Sequence, residues 1–252
     1  MTGIVLLGGD GLSTRILYNV LRRRFEIGCV ILEGKEDRLF FLKRRAKRIG
    51  WPAVLDQVAF QLYGKLAARG CRARTAAIMA EHGLDATPPP EAIVRRVASA
   101  NDPETIELLK ALDPQVVVIN GTRILSKRLL ESVPAPFLNT HAGITPGYRG
   151  VHGGYWALAQ GEPERCGVTV HVVDPGIDTG EVLYQAVVKP TRRDSFWTYP
   201  LLQLAAGAPL MVRAVEDALA GRLAPRPGEG PSRLWSHPGL TGYLRRRLQG
   251  IR

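Results

Sequence analysis

The sequence predicts a doubly wound α/β fold with a Rossmann-like, mostly parallel sheet, a helical insertion, and a C-terminal extension of helix and loop. Three observations carry that prediction. Residues 3–8 (GIVLLG) are a short unbroken apolar run ending at glycine, as in a strand covered on both faces. A glycine turn (GGDG) and a helix-spaced segment (ILYNVLRRR) lead to a second such run, EIGCVILE. Farther on, QVVVING is a third, rich in β-branched residues.

In order along the chain, the first turn reads Gly9-Asp10-Gly11-Leu12-Ser13-Thr14, with Thr where a dinucleotide fingerprint needs Gly or Ala. Gly11, Ser13 and Thr14 could still hold a phosphate at the start of the following helix, and a plain tight turn is an equal alternative. Residues 36–86 fit no strand and read as three helices, with Trp51-Pro52 as a breaker. Such an insertion could cap a pocket, form a dimer face, or lie on a membrane through Leu39, Phe40, Phe41 and Leu42. Ordinary core packing of those four is the favoured reading. After TPPP, AIVRRVAS reads as a strand, and Asp102-Pro103 as the N-cap and first turn of a helix. Gly121 ends the QVVVING strand, and the chain then turns helical through GTRILSKRLLESV. Ligands of open parallel sheets sit at the carboxyl ends of strands, so residues 121–125 and 139–141 should face one crevice. YWALAQGEPE reads as a helix with Trp156 and Leu158 inward, and EVLYQAVVKP as a half-exposed strand. Residues 195–223 form a helical stretch interrupted near Pro200 and Pro209. RPGEGPSRLWSHPG is a loop that returns over the site, and TGYLRRRL is a basic helix. The expected division is residues 1–190 as the main domain and 191–252 as an extension packed on it.

Composition sets wide bounds. With 45% hydrophobic and 23% charged residues the balance is that of a soluble globular chain. No apolar run is long enough to span a bilayer. MTGIVLLGGDG reads as a first strand rather than a signal peptide, so the expected location is cytoplasmic. The 3 cysteines are far apart, which suggests neither a disulfide framework nor a metal site. A net charge of +11 suits nucleic acid, a membrane surface or polyanionic small molecules. Much of it lies in residues 41–48 and 243–252, where solvated helix faces are the simpler reading.

The chemistry concentrates in residues 139–178. Asn139 and His141 follow the apolar PFL and share one face of an extended segment. Asp178 closes a second extended run, GVTVHVV, through a Pro-Gly turn. An amide, an imidazole and a carboxylate at one strand end suit acyl transfer, since the amide and imidazole can hold an oxyanion while carboxylate and imidazole move protons. In the glycine-rich loop between them, Tyr148, Arg149 and His152 are candidates to meet a substrate; the forked guanidinium of Arg149 suits a phosphate or carboxylate. His171 alternates with Val170 and Val172, which places it outward or behind the site.

Together these strings resemble the 10-formyltetrahydrofolate-dependent formyltransferase family, which includes glycinamide ribonucleotide transformylase, methionyl-tRNA formyltransferase and the amino-sugar N-formyltransferases. The resemblance rests on Asn139-Thr140-His141, Pro146-Gly147-Tyr148-Arg149-Gly150, Gly167-Val168-Thr169-Val170-His171 and Asp178-Thr179-Gly180. It implies the formyltransferase fold and a formyl-folate donor without a metal. Asn139 and a protonated His141 would stabilise the oxyanion, and Asp178 would orient His141 and relay the proton. It also implies a pterin site at Thr122, Arg123, Ile124 and Leu125 on one side and Val173, Asp174, Gly176 and Ile177 on the other. The implied partners are folate and a small amine, with a nucleotide-linked amino sugar preferred. Transfer RNA is less favoured, because about 40 residues after Leu210 are too few for the extra β-barrel of the methionyl-tRNA enzymes. A glycinamide ribonucleotide acceptor and a deformylase remain alternatives, the latter normally carrying an added N-terminal regulatory domain. A homodimer is possible, and no stable membrane insertion is expected.

Overall fold

The structure, a computed structural model, describes residues 3–251, without the side chains of Arg38, Phe40 and Phe41. Strands β1 (Ile4–Gly9), β2 (Ile27–Glu33), β3 (Val94–Val97), β4 (Val116–Asn120) and β5 (Phe137–His141) pair in parallel. A two-residue strand β6 (Arg149–Gly150) precedes β7 (Gly167–Val172), which pairs antiparallel with β5, and β8 (Val182–Val187), which pairs antiparallel with β7 and closes the sheet. The order is β3-β2-β1-β4-β5-β7-β8. β9 (Leu234–Trp235) lies apart from it, paired in parallel with β6.

The unbroken apolar runs have a simple cause, because helices cover both sheet faces. Val5, Leu7, Val117 and Ile119 meet Ile106 and Leu109 of α5 (Pro103–Leu112) and Leu129 of α6 (Lys127–Leu130). Ile4, Leu6, Val116 and Val118 meet Leu17 and Leu21 of α1 (Leu12–Leu21), and Met211, Ala214 and Val215 of α8 (Tyr199–Leu219). The first helix of the C-terminal stretch is thus part of the main core.

Some local expectations need correction. Asp102 is the N-cap of α5, but its side chain makes no capping bond. The chain after Gly121 stays irregular until Ser126, whose hydroxyl caps the single turn of α6. Helix α8 runs uninterrupted through Pro209. Pro200 lies in its first turn, where no N–H is needed, and Pro209 lies on its exposed side while Gly207, Ala208 and Met211 anchor the buried one.

The insertion forms α2 (Arg38–Ile49), α3 (Trp51–Gly70) and α4 (Arg72–Glu81). It docks on the C-terminal region, including α9 (Leu240–Leu248), rather than on the sheet. Phe60 packs against Phe196, Trp197 and Tyr243 with ring centroids 5.0, 5.3 and 5.1 Å away. Arg74 pairs with the buried Asp194 at 2.8 Å, and Gln57 donates to the His237 carbonyl at 2.8 Å. Core packing does not hold for Leu39, which is 67% exposed; Leu42 is half-buried, and the side chains of Phe40 and Phe41 lie outside the described residues. Gly64 is where α3 comes closest to its support, since a β-carbon there would stand 2.4 Å from the Trp197 ring. Gly64→Val should therefore cost about 1–3 kcal/mol in chemical denaturation. An unchanged midpoint would show that the indole yields freely.

Candidate active site

β5 and β7 pair antiparallel, which sets Asn139 opposite His171 and His141 opposite Thr169. This register brings two histidines to one carboxylate. His171 donates from Nδ1 to the Val172 carbonyl at 2.9 Å, so its Nε2 accepts from the Asn139 amide at 3.1 Å. Asp178 has a φ of 49°, a left-handed conformation that Asp tolerates better than most residues. Its Oδ2 accepts the Gly150 N–H at 2.8 Å and lies 3.2 Å from His141 Nδ1. Its Oδ1 stands 3.8 Å from His171 Nε2, beyond direct bonding.

The expectation for His141 changes here. Its ring is 6% exposed, and Nε2 lies 2.6 Å from the Tyr148 carbonyl. Both nitrogens are therefore occupied within the protein, and neither faces a ligand. Burial pushes the imidazole below its ordinary range, against the opposing pull of the Asp178 charge and the Tyr148 carbonyl. Each ring nitrogen faces an acceptor, Nε2 the Tyr148 carbonyl and Nδ1 the Asp178 carboxylate, so the ring satisfies both only by donating from both. For Asp178, burial works upward, but the His171 ring, the His141 charge and the Gly150 N–H outweigh it and hold the carboxyl below the usual range. His171, read from its alternation as outward or behind the site, belongs to the cluster and is 2% exposed.

The expected pterin segments lie at the carboxyl edge of the sheet. Thr122 and Arg123 line a cavity of about 320 Å³ with Gly9, Gly11, Ser13 and Lys35. The Arg123 side chain turns toward β2, donating to the carbonyls of Gly34 at 2.6 Å and Ala98 at 3.2 Å; its backbone N–H bonds Glu33. Ile124 is 56% exposed, whereas Leu125 is buried in the core beneath and presents no surface to a ligand. On the other side, Val173 continues the pairing by donating to Phe137, and Asp174 accepts from Gly176 N–H and Thr179 to shape the turn. The Ile177 carbonyl takes a hydrogen bond from Arg149 at 3.0 Å.

The substrate candidates divide. Ser13 and Thr14 both accept from the Asn120 amide, at 2.8 and 2.9 Å, and Thr14 is 3% exposed, so it braces the start of α1 against β4. Tyr148 is also corrected. It is 2% exposed, its hydroxyl donates to Glu162 at 2.7 Å, and its ring stacks on Trp235. His152 is half-buried at the N-cap of α7 (Gly153–Ala159), against Phe196 and 3.0 Å from His237. The returning C-terminal loop meets the loop holding Gly150, and β6–β9 pairing ties the two. Sequence reasoning passed over Asn120, Glu33 and His237; the first two end strands β4 and β2, positions that could have drawn attention. Among the described residues, no cluster of three or more His, Cys, Asp or Glu side chains is placed to hold a metal ion.

Burial pushes His152 down to about 3 and lowers His237, as it does His141. Each folded-state value lies below the unfolded one, so the unfolded chain takes up protons first as pH falls below about 6.5. Stability is full above that pH and drains away below it. His152 alone should remove about 3 kcal/mol by pH 4. Denaturation midpoints at pH 7 and 4 should differ accordingly, and His152→Asn should flatten the dependence; an equal pH slope in that variant would refute the assignment.

The formyl transferase family profile matches residues 65–214, which contain Asn139, His141, His171 and Asp178. This chain belongs to the formyl transferase family. Its curated relatives include the methionyl-tRNA formyltransferase of Chloroflexus aurantiacus, 36% identical over 152 residues, covering 56% of this chain and 48% of that protein. The chain spans under half the length of the curated relatives it matches. Among solved structures, glycinamide ribonucleotide transformylase 1 from Symbiobacterium toebii shares the fold at a TM-score of 0.57 and 22% identity, covering 91% of this chain and 95% of that one. An N-formyltransferase from Helicobacter canadensis, solved with folinic acid and dTDP-3-aminofucose, shares it at 0.56 and 16%, covering 94% and 71%. The fold is thus the formyltransferase α/β fold. No helix among the described residues is long and apolar enough to cross a membrane.

Proposed function

We propose that this chain is an N-formyltransferase that moves a formyl group from 10-formyltetrahydrofolate to the primary amine of a small phosphate- or nucleotide-bearing acceptor, such as a nucleotide-linked amino sugar. The observation that carries the reading is the Asn139–His171–Asp178–His141 cluster at the sheet's carboxyl edge in a formyl transferase family member. The Asn139 amide, oriented by His171, donates to the oxyanion that develops when the amine attacks the formyl carbon. Asp178 takes the amine's proton and the intermediate collapses with cleavage of the donor's C–N10 bond, the proton passing to N10 as tetrahydrofolate leaves, while His141 Nδ1, 3.2 Å from Oδ2, holds the carboxyl in place. His141 acts through Asp178. The exposed Ile124 offers apolar surface to a flat pterin ring. In the cavity beside α1, Gly11, Ser13 and Lys35 would meet the phosphate of a small acceptor, and the carboxylates of Asp10, Glu33 and Glu36 on the same wall would face its amine.

The test is calorimetric binding of the stable 5-formyltetrahydrofolate, with NAD as control, followed by a screen of amines with nucleotide amino sugars first. Folate binding without NAD binding is expected; no folate binding with candidate amines present would sink the reading. Release of formate without any amine would mark a deformylase instead. The identity to methionyl-tRNA formyltransferases favours a second reading, in which initiator methionyl-tRNA is the acceptor. Formylation of that tRNA, with nucleotide amino sugars left unmodified, would select it.

A further inference from the structure

Helix α3 is apolar on two opposite sides. Val54, Phe60 and Gly64 face the protein. On the far side Trp51, Leu55, Leu62 and Leu66 are 54, 62, 53 and 64% exposed, and their spacing aligns them in one stripe about 22 Å long. Leu39 of α2, 67% exposed, and Ile49 at the α2–α3 turn, 40% exposed, add to the apolar surface of this layer. A helix apolar all round is ordinarily covered all round, so a bare stripe of large side chains marks a contact surface.

The charge around it decides the partner. Lys43, Lys47, Arg48, Lys65 and Arg69 are all exposed on these helices. Within residues 38–74 the sole acid is Asp56, and it is turned inward to the Thr241 N–H and hydroxyl at 3.1 and 2.8 Å. A second copy would set one basic face against another, which opposes pairing. A nucleic acid would satisfy the charges but leave Trp51 and the leucines without an apolar partner. An anionic lipid surface satisfies both, because the stripe enters the boundary between headgroups and acyl chains while the basic side chains meet lipid phosphates. We propose that the α2–α3 face docks the protein peripherally on anionic membranes. The proposal does not depend on the identity of the formyl acceptor.

The experiment is cosedimentation of the full chain with phosphatidylcholine vesicles with and without phosphatidylglycerol, at low and raised salt. Capture by the anionic vesicles only, weakened by salt, is expected. Leu55→Glu/Leu62→Glu alters exposed positions, so its far-UV circular dichroism should match the parent while vesicle binding drops roughly tenfold or more. A variant that no longer unfolds like the parent would be replaced by Lys43→Gln/Lys47→Gln, which should lose the preference for anionic lipid. Absence of capture by either vesicle overturns the proposal. So does a dimer in sedimentation velocity that the leucine variant dissociates, or RNA binding that the same variant abolishes.

Discussion

Asp178→Asn should lower formyl transfer by about 100–10,000-fold, the range set by removing a positioned general base. The fold should survive the change. The new amide oxygen can still accept the Gly150 N–H, which the carboxylate holds at 2.8 Å. That same oxygen position also faces His141 Nδ1 at 3.2 Å, so the amide nitrogen takes the place of Oδ1, 3.8 Å from His171 Nε2. What disappears is the capacity to take a proton. Initial rates of formyl transfer at saturating donor, beside a thermal denaturation curve, separate the two effects. Turnover within a few fold of the parent would remove Asp178 from the chemistry. The pH dependence sharpens the point. Since Asp178 is held below the usual carboxylate range, it remains a base throughout the range where an acceptor amine is deprotonated. The acidic limb of the rate profile should then follow the amine and move when the amine is changed.

Asn139→Ala should cost about 100–1,000-fold in turnover, as expected for the loss of one oxyanion donor. The loss should fall on kcat, with the KM for the folate donor little changed, because the amide acts where charge develops rather than where the pterin sits. The substitution also frees the His171 Nε2, 3.1 Å from the amide. Comparison with His171→Gln divides the result. If His171 only orients the amide, that variant should lose part of the rate, and adding Asn139→Ala should restore the single-variant value rather than multiply the two losses. Fully multiplicative losses would make the two residues independent.

The strands and the meeting of Asn139, His141 and Asp178 were legible because both depend on local pattern. Val116–Asn120 and Ile4–Gly9 are short apolar runs, and neighbouring covered strands give such runs their meaning. The errors came from residues whose environment is assembled from distant sequence. Alternation turned His171 away from the core only under the assumption that β7 has one wet face. Val168 and Val170 instead face helical cover while Thr169 and His171 are buried on the other side. Tyr148 looked like a loop residue with a hydroxyl to offer, yet Trp235 covers its ring and Glu162 takes its proton. Leu39 was assigned to the core because apolar clusters usually lie there, and no local signal distinguishes a helix face left bare. Pro209 read as a break because propensity was weighed without the packing that holds α8 straight.

The pairing of Arg149–Gly150 with Leu234–Trp235 has a consequence for how the protein comes into being. All seven strands of the main sheet lie before residue 188. All seven are therefore synthesised before α8, which covers one face of the sheet, and before Trp235. The peptide that presents the Gly150 N–H to Asp178 would not yet have its neighbour. Only when Trp235 has left the ribosome can its indole N–H reach the Gly147 carbonyl, 3.0 Å away in the finished fold. The loop that sets Gly150 beside Asp178 thus gains its paired neighbour only after the strands and α8 have been made.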